Sequence, residues 1–140
     1  MKPTDDLFRQ LSVIERECFG GSWTEETLLA ELNNPLNILC TADRGGKLAG
    51  FALGRVAADE GELFQIAVLP GFRRQGAAKR LLEQLHREMQ ERGAVACFLE
   101  VRSRNAGAIA LYESSGYEYI ATRRNYYPDD DAVIYKISLA

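Results

Sequence analysis

One histidine, His86, is all the imidazole in this chain of 140 residues. Zinc sites draw on clusters of histidine and cysteine, and a Ser-His-Asp triad needs a histidine base. A lone imidazole argues against both, and His86 reads as a helix-flank residue in water. Cysteine is scarce as well. Cys18, Cys40 and Cys97 are far apart, odd in number and set in apolar patterns, with no C-x-x-C among them. They read as reduced core residues, with a catalytic thiol as the alternative. No apolar run approaches the ~20 residues of a membrane span. The opening Met1-Lys2-Pro3-Thr4-Asp5-Asp6 is acidic and polar, unlike a signal peptide. There is no long basic block, and the net charge is −3. That balance disfavours a general nucleic-acid binder. The expectation is a cytoplasmic protein with no metal, no membrane contact and no direct nucleic-acid contact.

The chain does have enough apolar residues for one core. It is 46% apolar and 26% charged, an ordinary globular balance at single-domain length. Residues 1–140 are expected to form one domain, with no repeat, linker or low-complexity segment. Thr4 or Asp5 can cap a first helix in which Phe8, Leu11, Ile14 and Cys18 recur at helical spacing. Gly20-Gly21 breaks it. Ser22-Trp23-Thr24-Glu25 fits a capping box for a second helix with Leu28, Leu29 and Leu32 as its stripe, stopped by Asn33-Asn34-Pro35. Strands are expected over 37–42, 48–56 and 62–69, joined by turns at 43–47 and 57–61. A long helix over 75–92, ended by Gly93, leads to an apolar strand over 95–101. Strand, helix and strand at this spacing make a βαβ unit, so its two strands should be parallel. A short helix capped by Asn105 and closed by Gly116 follows. Strands over 117–123 and 132–139 close the chain as an antiparallel pair.

The stretch Ile66 to Leu82 is where chemistry first suggests itself. The apolar run Ile66-Ala67-Val68-Leu69 ends at Pro70-Gly71. Arg73-Arg74-Gln75-Gly76-Ala77-Ala78 then opens the long helix, whose apolar face is Ala78, Leu81, Leu82, Leu85 and Met89. Helix N-termini present unpaired N–H groups and partial positive charge, an anion site in waiting. Gly76 and its alanines lack the bulk that would keep a phosphate off the backbone. A solvated basic turn before an ordinary helix is the other reading. The run is not a Walker loop, since Gly-Lys-Ser/Thr is missing, and it lacks the Rossmann G-x-G-x-x-G. Its Arg73-x-x-Gly76-x-Ala78 pattern resembles the pyrophosphate loop of GNAT-type N-acetyltransferases.

Glu100 interrupts the run Ala96-Cys97-Phe98-Leu99-Glu100-Val101. Alternation sets it on the face of Ala96 and Phe98. A carboxylate on a core-like strand is costly unless paired or placed at a crevice. Near the carboxyl end of a parallel strand, it stands where ligands bind in open α/β sheets. An ion pair with Arg73, Arg102 or Arg104 explains it equally well. The Tyr112 phenol could donate a proton at the sheet opening, or be a core aromatic with its hydroxyl at the edge. Asn105 is first a helix cap and only then a ligand contact.

Three ordered stretches narrow the choice. Glu100-Val101-Arg102-Ser103-Arg104-Asn105, then Ala110-Leu111-Tyr112-Glu113-Ser114-Ser115-Gly116-Tyr117, then Arg123-Arg124-Asn125-Tyr126-Tyr127-Pro128 closely resemble the RimI family. Those are bacterial GNAT enzymes that acetylate the N-terminal alanine of a small-subunit ribosomal protein. The resemblance covers nearly the whole chain and is strongest over 62–128. It implies an α/β (α+β) GNAT fold: a mixed central sheet with strands splayed around an acetyl-CoA site, flanked by about four helices. Acetyl-CoA is then the co-substrate. Ile66, Ala67 and Val68 would hold its pantetheine arm like an added strand. The 73–79 loop (Arg73, Arg74, Gln75, Gly76, Ala77, Ala78 and Lys79) would cradle its pyrophosphate, and Asn105 would contact it. Glu100 matches the family's general base and Tyr112 its general acid.

These residue types suit the reaction. An α-amine has a pKa of about 8 and is largely protonated at neutral pH. A carboxylate can remove that proton, a backbone N–H such as that of Val68 can meet the oxyanion, and a phenol can protonate the leaving thiolate. Trp23 and Phe19 would wall the peptide slot, or belong to the core. Tyr126-Tyr127-Pro128 would flank its entrance, or form a rigid turn. Asp129-Asp130-Asp131 would draw a basic peptide, or simply be solvated. The chain departs from the family pattern in three places. The family's first strand is expected to be missing or very short, Ala78 stands where glycine is frequent, and Gln65 stands where asparagine is common. The partner expected is the N-terminus of a small-subunit ribosomal protein, met by a monomer or weak dimer. Acetylation of another amine, such as a lysine side chain or a small molecule, and a non-catalytic CoA-binding module are the competing functions.

Overall fold

In the computed structural model, residues 5–21, 23–73 and 76–139 are described. The first described element is helix α1, Asp5–Phe19, so the question of a strand before it lies outside these residues, as does the Thr4 cap. Helix α2, Glu25–Leu32, follows. Its cap is Thr24, whose hydroxyl accepts the Thr27 N–H at 3.1 Å. That cap falls two residues after the expected Ser22, which is not among the described residues. The α2 stripe is narrower than expected. Leu28 and Leu32 are buried, whereas Leu29 is exposed.

Six strands form one sheet in the order β1-β2-β3-β4-β6-β5. They are β1 Asn37–Arg44, β2 Lys47–Ala57, β3 Glu60–Val68, β4 Ala96–Arg102, β5 Glu118–Tyr127 and β6 Asp130–Ser138. Every neighbouring pair is antiparallel except β3 and β4. Helix α3, Ala77–Glu91, makes the crossover between those two, as the strand-helix-strand spacing predicts. Helix α4, Ala106–Ser114, is capped by Asn105, whose Oδ1 accepts the Ala108 N–H at 3.1 Å.

The sheet separates two cores. On one face α1 and α2 cover β1, β2 and β3, enclosing Leu11, Ile14, Leu28, Phe51 and Leu53. On the other, α3 lays Leu81, Leu82, Leu85 and Met89 over Cys40, Ala52, Leu63, Cys97 and Leu99. Ala77, rather than the expected Ala78, is the buried first residue of that helix stripe. Each such aliphatic side chain contributes roughly 1.5–3 kcal/mol when fully buried.

The strand ends depart from expectation at two turns. Ala58 takes φ +54°, which tightens the β2–β3 turn and returns Glu60 and Gly61 to β3. The β5–β6 hairpin also reaches further than expected, to a Tyr127↔Asp130 pair. A bulge at Asn125, with φ +56°, absorbs the extra residues, and the Asn125 N–H donates to Asp131 Oδ1 at 2.8 Å.

Candidate active site

The parallel strands β3 and β4 pair only at Glu60↔Ala96, Gly61↔Cys97 and Glu62↔Phe98. Beyond that, β3 runs on to Val68 and β4 to Arg102 without pairing to each other. Right-handed sheet twist favours parting of this kind, and it leaves a backbone edge that an extended ligand can complete. A bulge in β3 marks the same place, where Gln65 pairs with Leu53 but Leu63 pairs with Gly54. Ile66, Ala67 and Val68 lie on the unpaired length. Ile66 and Val68 face the α3 core, and Ala67 faces the α1 core. Gly50 holds β2 close behind them, because a Cβ there would come within 2.5 Å of the Ala67 carbonyl oxygen.

At the far end of β3 a 3-10 turn, Pro70–Phe72, leads towards α3. Arg73 folds back, its Nε donating to the Val68 carbonyl at 2.8 Å. The Cys18 thiol meets the same carbonyl at 3.7 Å. Arg73 thus braces the end of β3 instead of reaching out into the loop. Arg74 and Gln75 lie outside the described residues. Gly76 starts α3 with φ +77°; among the described residues no side chain caps the helix, and no acidic residue lies in its first turn. The first turn of α3 thus brings no carboxylate of its own against an anion at the Ala77, Ala78 and Lys79 N–H groups. Asn105 spends its side-chain oxygen on the α4 cap.

Glu100 and Tyr112 sit on opposite faces of β4. Tyr112 lies in the core that contains Cys97, Leu99 and Val101, while Glu100 belongs to the alternate set with Phe98. Tyr112 is 8% exposed and stands edge-on to Tyr117, with ring centroids 5.7 Å apart. Burial, with a smaller contribution from Cys97, pushes its phenol pKa up to about 12. It is therefore fully protonated at neutral pH. Behind it, His86 Nε2 lies 2.7 Å from the Tyr117 hydroxyl, and that hydroxyl donates to Cys97 Sγ at 3.4 Å. His86 is thus half-buried and bonded, not the water-facing residue the sequence suggests. Its burial lowers its pKa.

On the other face, Glu100 borders a cavity of about 390 Å³ together with Arg55, Glu60, Glu62, Phe98 and Arg123. Its ion-pair partner comes from β5 and is none of the three arginines named from sequence. Arg123 Nη1 stands 3.6 Å from Glu100 Oε1. Trp23 is half-buried and packs on Phe64, with centroids 6.3 Å apart. The buried Glu15 accepts the Trp23 backbone N–H at 3.1 Å, which fixes the α1–α2 connection. Tyr126 and Tyr127 meet edge-on at the hairpin tip, 5.1 Å apart, and Arg102 lies over the Tyr127 ring at 4.0 Å. Asp130 anchors that tip. It accepts from the Ser103 hydroxyl and, at 3.0 Å, from the Arg104 N–H. The Ser103 bond is the main reason its carboxyl pKa is lowered. Sequence reasoning had no signal for Arg123, because its meeting with Glu100 depends on the β4-β6-β5 order.

Comparison with known proteins fits this geometry. The model of the Acetyltransferase (GNAT) family matches residues 8–117. The chain belongs to that family, and its enzymes transfer acetyl groups. Within it the chain sides with RimI-type proteins. It is 42% identical over 132 residues to the [ribosomal protein bS18]-alanine N-acetyltransferase of Salmonella typhimurium, across 91% of this chain and 88% of the relative. It is 37% identical to the N-alpha-acetyltransferase RimI of Mycobacterium tuberculosis, across 81% and 74%. The crystal structure of the ribosomal-protein-S18-alanine N-acetyltransferase from Escherichia coli superposes with a TM-score of 0.89 at 36% identity, across 100% of this chain and 92% of that one. The fold is shared more widely. An aminoglycoside 6'-N-acetyltransferase solved with coenzyme A also gives a TM-score of 0.89, at 18% identity, across 98% of this chain and 93% of that one. Among the described residues no helix is long and apolar enough to cross a membrane. None of their His, Cys, Asp and Glu side chains group as a metal site would require.

Proposed function

We propose that this chain transfers the acetyl group of acetyl-CoA to the N-terminal α-amine of a small-subunit ribosomal protein that begins with alanine. The observation that carries the reading is the parting of β3 from β4 beyond Glu62↔Phe98. Such a gap lets two substrates meet from opposite faces of one sheet. The unpaired edge at Ile66, Ala67 and Val68 would hold the pantetheine arm. The first turn of α3 (Gly76, Ala77, Ala78 and Lys79), preceded by Arg73, Arg74 and Gln75, would take the pyrophosphate, and Asn105 would contact the cofactor. Bound there, acetyl-CoA supplies the activated thioester carbonyl.

The acceptor would approach from the face of Glu100, between Trp23 and the Tyr126-Tyr127 tip. Glu100 takes a proton from the α-ammonium, directly or through one water, so that the nitrogen can attack. Tyr112, on the cofactor side, gives its proton to the departing CoA sulfur. Attack is direct and no covalent enzyme intermediate forms. Acid and base steps of this kind contribute about 10²–10⁴-fold, and alignment across the gap supplies the rest. The names of the relatives support the acceptor class, and a bacterial ribosomal acceptor implies a cytoplasmic site of action.

The test is mass spectrometry of a ribosomal extract incubated with acetyl-CoA, with and without the protein. One N-terminus should gain the mass of a single acetyl group. Faster turnover of free lysine or polyamines than of an alanine-initiated peptide would reject the reading.

A further inference from the structure

Arg123 has no part in the chemistry just described, yet its guanidinium occupies the approach to Glu100. The two strands that place it are not neighbours of one another. Glu100 pairs with Ile134 of β6, and Ile134 pairs in turn with Ala121 of β5. Directly opposed residues share a face, so Arg123, two residues beyond Ala121, reaches back over β6 to the carboxylate. The contact is loose, at 3.6 Å, with side-chain exposures of 56% for Arg123 and 30% for Glu100. Arg123 also has a second place to rest. Its guanidinium carbon lies 5.7 Å from the centroid of the Tyr126 ring, within reach of a cation–π contact. The Asn125 bulge sets that ring there, because regular β5–β6 pairing ends at Arg123↔Ala132.

We propose that Arg123 is a built-in stand-in for the acceptor: its guanidinium neutralises Glu100 until an N-terminal ammonium displaces it towards Tyr126. The inference rests on the assignment of Glu100 to the acceptor amine. A guanidinium suits the role because it carries the acceptor's charge but never deprotonates, so it cannot itself become a nucleophile. The pair is also weak enough to exchange, since exposed ion pairs hold only loosely. The consequence is selectivity. A neutral or anionic group entering the cavity offers Glu100 nothing in place of Arg123, whereas a cationic amine does. Arg123 is thus a specificity-determining residue that acts through Glu100.

Steady-state kinetics with an alanine-initiated peptide as the varied substrate test this, using the parent, Arg123→Gln, Arg123→Lys and Glu100→Gln. Removing the competitor should lower the peptide KM of Arg123→Gln by about 1.4- to 5-fold, the range expected when an exposed pair must open before binding. The acetyl-CoA KM should not follow, and Arg123→Lys should return the peptide KM towards the parent value. A second measurement is read on the parent and does not depend on turnover. In the parent, peptide added without acetyl-CoA should shift one arginine Nε–H resonance, the one missing from the Arg123→Gln spectrum. A peptide KM in Arg123→Gln that is unchanged or higher, or an Arg123 resonance unmoved by peptide, overturns the proposal. If Glu100→Gln has meanwhile lost turnover, the base assignment stands without it. Full turnover by Glu100→Gln removes the base assignment, and this inference with it.

Discussion

Strands β2 and β5 belong to one sheet and have almost nothing else in common. Seven consecutive residues of β2, Leu48 to Gly54, are buried, while β5 buries none of its ten. The cause is coverage. Helices α1 and α2 on one face and α3 on the other enclose β1, β2 and β3. On β4, β6 and β5 the Glu100 face keeps Phe98, Ile134, Ala121 and Arg123 half-buried or exposed. The closed half holds the shape, and on the proposed function the open half presents the chemistry. The line between them is the gap where β3 leaves β4. On the proposed function, an open face next to a rigid one would let an acceptor reach the thioester without the core having to move.

That contrast should be easiest to break at Glu100. Glu100→Gln is expected to lower kcat on an alanine-initiated peptide by about 10²–10⁴-fold. Its melting temperature should stay near the parent's, because the residue is on the open face. Stopped-flow or end-point acetylation beside a thermal melt checks both halves of the statement. The reverse signature belongs to Phe51, which is fully buried beneath α1. Phe51→Ala should cost about 3–5 kcal/mol of stability by urea denaturation.

A smaller effect comes from α3, where His86 meets Tyr117. Burial depresses the pKa of His86 in the fold, so the folded protein binds the proton less readily than the unfolded chain does. Stability is then full above the unfolded value of about 6.5 and declines as pH falls from there towards the folded pKa. The slope is at most about 1.4 kcal/mol per pH unit. Denaturation midpoints between neutral and mildly acid pH should show this slope in the parent and lose it in His86→Gln. The smallest effect should be at Ile120, which the β5–β6 register skips between Tyr119 and Ala121 and which is 49% exposed. Ile120→Ala should stay within about 0.5 kcal/mol of the parent.

The two halves also differ in how much their residues disclose. Helical spacing in α1 and α3 and the strand-helix-strand spacing around 66–101 were enough to set the covered half and its parallel pair. Capping chemistry placed the start of α4 at Asn105 but put that of α2 two residues early, because Ser22 and Thr24 are both competent caps. In the open half, strand alternation put Glu100 on the Phe98 face. Alternation cannot say on which face α4 packs, so the separation of Glu100 from Tyr112 across β4 was not legible. The same limit hid Arg123, which depends on β6 coming between β4 and β5. His86 was misread because its bond to Tyr117 joins residues 31 apart in the chain. The Arg73-x-x-Gly76-x-Ala78 pattern suggested an anion-binding loop, but it gave no sign that the Arg73 side chain would return to the Val68 carbonyl.

The central claim is that the gap between β3 and β4 is crossed by the reacting pair, with cofactor and acceptor on opposite faces of the sheet. A crystal structure with a conjugate joining coenzyme A to an alanine-initiated peptide addresses it directly. The linking sulfur should lie between Val68 and Val101, with the CoA arm on the Tyr112 side and the peptide on the Glu100 side. A conjugate lying wholly on one face, with the gap unoccupied, would contradict it.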